Sequence, residues 1–198
     1  MAVSVILGHP KLGSFNHAIA NMVKQTLENN GYDVNLHDLY SENFDPILQK
    51  EELQKNVVLT NEIQTHCNEI QNASGIIIIH PNWWGQPPAI LKGWIDKVIR
   101  SEVAYRFVGE DGGEGVPEGL LKAKVALVFN TSDTEANREL KVFGDPLERI
   151  WKDCIFGLCG VSNFYRRTFN IMVLSTQSQR EKWLGEVQDT INKYFPRV

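Results

Sequence analysis

Ile76-Ile77-Ile78-Ile79 leads straight into His80-Pro81-Asn82-Trp83-Trp84-Gly85-Gln86-Pro87-Pro88. A run of four isoleucines has no polar side, which predicts a strand buried on both faces, as in parallel sheets. The run then breaks into prolines and polar residues, and Ile90, Leu91, Trp94, Ile95 and Val98 follow on one helical face. Two more short β-branched runs, Val3–Leu7 and Val125–Phe129, read the same way. Asp33–Asp38 is a weaker strand, and Asn163–Val173 contains a fifth with partial alternation.

Helical faces separate these runs. After Asn16, the residues Ile19, Met22, Val23 and Leu27 share a face, and Gly31 stops the segment. Leu147, Ile150, Trp151, Cys154 and Leu158 form another stripe, with Asp145 as N-cap, Pro146 at the first helical position and Gly160 beyond the end. Trp183, Val187, Ile191 and Tyr194 mark a terminal helix. Strands alternating with helices predict one α/β domain over residues 1–198, a doubly wound sheet of five parallel strands with helices on both faces. Two stretches stand outside this scheme. Tyr40–Gln54 is a long loop, and Val108–Gly119, with five glycines, is a loop or hairpin tip.

At 198 residues, 42% hydrophobic and 22% charged, the chain can bury a core without disulfides or metals. A net charge of −4 argues against a nucleic-acid partner held by phosphate attraction. The longest apolar runs are far below the roughly 20 residues of a membrane span, and Met1–Leu7 lacks the basic region of a signal peptide. Three cysteines without a CxxC pair suggest neither a disulfide framework nor a zinc knuckle. His9, His17, His37 and His66 are scattered and suggest no metal site, with His17 and His66 expected in solvent. A cytoplasmic protein without a membrane span is the expectation.

Chemistry gathers at strand ends, where open α/β sheets bind ligands. After the first strand comes Gly8-His9-Pro10-Lys11-Leu12-Gly13-Ser14-Phe15-Asn16, opening a helix. Free amides and the dipole there suit an anion; the alternative is a capped turn holding nothing. Neither a P-loop nor a GxGxxG fingerprint is present, because no strand precedes Gly109–Gly115 and no helix follows it. Trp83 and Trp84, held between prolines, suit a planar ring system, although one or both could pack under the next helix. Trp94 and Trp151 lie on helical stripes and read as core. Asn130-Thr131-Ser132-Asp133 adds polar groups at the fourth strand end. A phosphate cradle, an aromatic shelf and hydrogen bonders on one rim suit a nucleotide-like ligand with a flat heterocycle, flavin above all.

These motifs are similar to those of the flavodoxin-like NAD(P)H:quinone oxidoreductases of the DT-diaphorase type and the related bacterial potassium-efflux regulatory oxidoreductases. The resemblance is carried by His9 with Gly13-Ser14-Phe15-Asn16, by Asp38-Leu39-Tyr40 with Asn43-Phe44-Asp45-Pro46, and by Pro81-Asn82-Trp83-Trp84. It continues through Pro88-Ala89-Ile90-Leu91-Lys92-Gly93-Trp94, Ala104-Tyr105 and Gly144-Asp145 into Cys159-Gly160. It implies strand order 2-1-3-4-5 and two-electron, ping-pong hydride transfer from NAD(P)H through FMN or FAD to a quinone-like acceptor. It also implies that His9, Ser14, Phe15 and Asn16 hold the flavin phosphate and ribityl groups. Pro81, Asn82, Trp83 and Trp84 would line the ring, and Asn130, Thr131 and Ser132 would meet its other edge. Tyr105 would serve the substrate pocket, contributed across a homodimer interface, with Phe107 where the family often has a second tyrosine.

One departure concerns rate and acceptor. The family's histidine before the Gly-Asp pair is Phe143 here, and its tyrosine six residues earlier is Asn137. Phenylalanine donates no proton, so backbone amides near Thr131 would have to stabilise the reduced ring. Alternatives to an enzyme are a flavin-binding electron carrier and a regulatory subunit of a transporter with little turnover. FMN against FAD stays open, and so does NADH against NADPH, where Arg106 and Arg138 either meet a 2′-phosphate or are solvated. The Tyr40–Gln54 loop either covers an adenosine or serves the dimer interface.

Overall fold

In the computed structural model, which describes residues 1–54, 57–108, 115 and 117–198, the expected alternation is present. In chain order the elements are β1 (Ala2–Leu7), α1 (Phe15–Asn29), β2 (Asp33–Asp38), α2 (Asn61–Asn72), β3 (Gly75–Pro81) and α3 (Ala89–Val98). There follow β4 (Tyr105–Arg106), β5 (Glu118–Gly119), β6 (Ala126–Ser132), α4 (Ala136–Lys141), α5 (Pro146–Arg149), β7 (Phe164–Asn170) and α6 (Gln177–Tyr194). The large sheet is parallel, in the order β2-β1-β3-β6-β7, which is 2-1-3-4-5 counting only its own strands. Among the described residues, no helix is long and apolar enough to cross a membrane.

Alternate residues of each strand enter opposite cores, because successive side chains point to opposite faces. Ile6, Ile76, Ile78, Ala126 and Val128 pack under α2, α3 and the helix that begins at Pro146. Val5, Ile77, Ile79, Leu127 and Phe129 pack under α1 and α6. Covered on both sides, Ile76–Ile79 are wholly buried.

The helix that the alternation requires between β2 and β3 is α2, whose polar sequence offers only Ile63, Cys67 and Ile70 as buried hydrophobics and shows no clear stripe. Three local features differ from expectation. His66 is buried on α2, not solvated: the Trp94 indole N–H donates to its Nδ1 at 3.2 Å, and burial lowers its pKa to about 4. The stripe after Pro146 is also redistributed. From Ile150 to Gly157 the helix is π-wound, and its wider i→i+5 turn brings Ile155, Phe156 and Cys159 inward while Cys154 and Leu158 face solvent. Asp145 stands at the cap position, but in a left-handed conformation and with no capping hydrogen bond, because Arg166 takes its carboxylate instead.

The long loop after β2 is strapped across α3. Lys97 Nζ donates to the carbonyls of Asp45 and Ile47, each at 3.2 Å, and Arg100 to that of Glu52 at 2.8 Å. Gly93 makes this crossing possible, since a Cβ there would lie 2.2 Å from the Pro46 carbonyl oxygen and 2.4 Å from its Cα. Gly93→Ala gains roughly 1 kcal/mol of helix propensity, yet backbone cannot yield like a side-chain tip. We expect a net loss of about 2 kcal/mol from overpacking, read as a lower urea midpoint.

The glycine-rich stretch is flanked by an antiparallel pair, Tyr105 with Gly119 and Arg106 with Glu118, as a hairpin requires. Most of its tip, including most of Gly109–Gly115, lies outside the described residues.

Candidate functional site

β1, β3 and β6 end at one rim, and their following segments enclose a cleft of about 410 Å³. Clefts of roughly 300–1,000 Å³ hold small-molecule ligands. The β1–α1 turn contributes His9, Lys11, Gly13, Ser14, Phe15 and Asn16 to its lining. Pro81, Asn82 and Trp83 come from the end of β3, and Thr131 and Ser132 from the end of β6.

At the floor, Asn16 is buried and donates from Nδ2 to Thr131 Oγ1 at 2.9 Å. Its Oδ1 is also buried and, among the described residues, has no hydrogen-bond partner. A buried acceptor left in that state is unfavourable by about 1–3 kcal/mol, so the arrangement calls for a donor from a ligand. Ser14 caps α1 by accepting the His17 N–H at 3.4 Å. Among the described residues, the amides of Phe15 and Asn16 at the same helix end have no protein acceptor.

His17 is held rather than solvated. Its Nε2–H donates to Asp38 Oδ2 at 3.1 Å, and its Nδ1 accepts from the Ser14 hydroxyl at 2.9 Å. That chain links the end of β2 to the cleft turn. Burial lowers the pKa of His9, and the Lys11 amide donates to its Nδ1 at 3.1 Å, so the neutral ring carries its proton on Nε2.

The aromatic wall divides at adjacent residues. Trp83 lines the cleft, its ring 6.4 Å from that of His9. Trp84 is fully exposed and does not line the cleft. Trp83 and Gln86 exchange both backbone hydrogen bonds, and Trp84 and Gly85 between them have φ of 57° and 70°, the signs of a two-residue type I′ turn. Asn82 Oδ1 accepts the Gly85 N–H at 2.9 Å and braces the turn. Gly85 is needed twice over, since a Cβ there would also meet Pro146 Cγ at 2.6 Å.

Of the twelve expected site residues, Asn130, Trp84 and Tyr105 are placed elsewhere. Asn130 is wholly buried behind the rim, its Nδ2 2.9 Å from His80 Nε2. Tyr105 lines a second cleft of about 700 Å³, together with Leu48, Leu53 and Phe107. Phe15 borders the first cleft, but its ring packs on Phe169 and Trp183. Phe143 is exposed, and neither it nor Asn137 lines either cleft. No residue of the strapped loop lines the first cleft, and its Leu48–Gln54 end reaches the second.

Met172 and Arg180 were not anticipated. Both line the first cleft, where Arg180 is braced by Nε donating to Ser175 Oγ at 2.8 Å and Nη2 to the Ser175 carbonyl at 3.3 Å. The only sequence signal was an arginine in the first turn of a helix that follows a strand end.

Comparison with known proteins agrees with this architecture. Residues 1–193 match a family model described as a flavodoxin-like fold. An uncharacterized NAD(P)H oxidoreductase of Haemophilus influenzae is 38% identical over 164 residues, covering 80% of this chain and 78% of that one. The ribosyldihydronicotinamide dehydrogenase [quinone] of mouse is 29% identical over 170 residues, covering 75% and 71%. A crystal structure from Streptococcus mutans superposes with a TM-score of 0.84 at 28% identity, covering 98% of this chain and 100% of that one. The chain thus belongs to the flavodoxin-like fold family, among relatives named as an NAD(P)H oxidoreductase and as ribosyldihydronicotinamide and NAD(P)H dehydrogenases [quinone].

Proposed function

We propose that the protein is a flavin-dependent oxidoreductase that uses NAD(P)H to reduce a quinone-like acceptor. The observation that carries this reading is the unpartnered Asn16 Oδ1, buried at the floor of a cleft flanked by a helix N-terminus and Trp83. Flavin suits this donor set: its ribityl hydroxyls are donors for Asn16, its phosphate is an acceptor for free amides, and its ring is a flat partner for Trp83. Bound flavin would supply the hydride relay, taking two electrons from NAD(P)H and passing them to an acceptor that follows in the same position, a ping-pong sequence.

The chain's own contribution is binding and orientation. Asn16, tied to Thr131, would fix the cofactor's depth relative to the sheet edge. Ser14, Lys11 and the first amides of α1 would hold its anionic end, with Arg180 also available in the lining. Trp83, held by the Asn82-braced turn, would shield one side from water. Pro81 and Ser132 would complete the rim.

Tyr105 serves an active site in this reading only if a second copy brings it there, so we further propose a homodimer. Exposed Leu53 and Phe107 beside the second cleft support it. Light scattering should then give twice the chain mass, and a monomer removes Tyr105 from the site.

The test is to titrate the purified protein with FMN and with FAD, then add NADH or NADPH without oxygen. Loss of the visible flavin band, reversed by a quinone, is the expected result; failure to bind either flavin refutes the proposal. Asn16→Ala should weaken flavin binding about tenfold, the worth of one buried hydrogen bond, by fluorescence titration.

A further inference from the structure

On the side of the sheet that carries α2 and α3, the structure gathers side chains that the sequence scatters. His37 is the penultimate residue of β2, Glu42 lies in the following loop, and His66 and Glu69 stand on α2. The ligand-type atoms of His37, Glu42 and His66 all lie within 4.8 Å of one another. Glu42 reaches both rings at their edges, with Oε1 2.9 Å from His37 Nδ1 and Oε2 3.8 Å from His66 Nε2. The two rings are 4.0 Å apart between centroids.

We propose that His37 Nδ1, Glu42 and His66 Nε2 form a binding site for a divalent metal ion of the zinc class, separate from the cleft described above. Two imidazoles and one carboxylate are the ligand set that zinc and its neighbours take. The surroundings fit a built site. His37 presents its other nitrogen, Nε2, to Glu69 Oε2 at 2.5 Å, the carboxylate–histidine arrangement that orients metal-bound imidazoles. The three ligand residues also line a cleft of about 300 Å³ with Asn61, Glu62 and Thr65, so an ion has an entry path and solvent can complete its coordination.

One contact opposes the ion and makes the proposal sharper. Trp94 Nε1–H donates to His66 Nδ1 at 3.2 Å, which places the proton of neutral His66 on Nε2. A metal at Nε2 moves that proton to Nδ1, where it faces the indole N–H. Trp94 therefore holds the site in its metal-free tautomer and limits affinity. Removing this donor tightens metal binding, whereas removing a ligand abolishes it.

The experiment uses the full chain with zinc by calorimetry and with cobalt by visible absorption. The expected result is one ion per chain, with a cobalt ligand-field band of low coordination number. Glu42→Gln and His37→Gln each lose at least about tenfold in affinity, and Glu69→Gln about tenfold through its support of His37. Trp94→Phe binds several-fold more tightly than wild type. Absence of saturable binding overturns the proposal, and so does binding that both Glu42→Gln and His37→Gln leave intact, which would place the ion elsewhere. If Trp94→Phe folds and binds more weakly, the assigned geometry at His66 is wrong. Circular dichroism of each variant separates loss of ligand from loss of fold.

Discussion

Arg166→Met should lower the unfolding free energy by about 3 kcal/mol, the scale of a broken buried ion pair. Arg166 lies on β7 with its side chain 8% exposed, yet all three guanidinium nitrogens are engaged. Nη2 meets the Asp145 carboxylate, Nε donates to Glu148 Oε2 at 3.0 Å, and Nη1 donates to Asn130 Oδ1 at 3.2 Å and Thr168 Oγ1 at 3.1 Å. Methionine keeps much of the volume but leaves the half-buried Asp145 carboxylate without a cation. Urea denaturation at neutral pH checks the loss. Adding Asp145→Asn to Arg166→Met should recover about 1 kcal/mol, because the stranded charge is then gone; strict additivity would show that the two groups are not coupled.

A second large effect concerns acid. His80 is wholly buried, its Nδ1–H donating to the Pro81 carbonyl at 2.8 Å, while Nε2 accepts from Trp151 Nε1–H and Asn130 Nδ2, each at 2.9 Å. A proton on Nε2 would face two donors. Burial, reinforced by the Arg166 charge, pushes the His80 pKa down to about 4. An unfolded histidine titrates near 6.5, so between these values the unfolded chain binds the additional proton. The neutral ring's contribution to stability is complete above pH 6.5 and is lost as pH falls toward about 4, amounting to about 3 kcal/mol. Unfolding free energies of wild type and His80→Gln, compared from pH 7 downward, should converge by that amount. A gap that stays constant with pH would refute the assignment.

The two effects share one chain of contacts. Arg166 holds Asn130, Asn130 holds His80, and His80 fixes the carbonyl of Pro81, which lines the cleft. Asn130 belongs to this supporting layer rather than to the cleft wall. Sequence alone could place it at a strand end, but the inward direction depends on strand register. His80 pairs with Asn130 and Pro81 with Thr131, so alternate residues of the same motif face opposite ways.

What the sequence makes legible follows from how strongly the surroundings constrain each residue. Ile76–Ile79 announced a central strand because both faces are covered. The edge strand Asp33–Asp38 is only partly buried and read weakly for that reason. α2 was hidden because its core face is narrow and includes a histidine. The stripe after Pro146 was assigned with α-helical spacing, which π winding changes. Trp83 and Trp84 are indistinguishable by composition, and only the turn's left-handed residues send them apart. Met172 and Arg180 reach the cleft from beyond the last strand of the sheet, a distance that no local motif encodes.

The central position of β3 has a consequence for how the chain is made. Once Pro81 has emerged from the ribosome, β1, β2 and β3 can pair, but the far edge of β3 must wait for β6. The intervening segment, Asn82 to Val125, is 44 residues long. At about 5–20 residues per second, its synthesis leaves the isoleucine-rich edge open for several seconds. An unpaired, uncharged β edge is a template for other chains. The strand that ultimately anchors the sheet is thus an aggregation-prone edge of the nascent chain until β6 arrives.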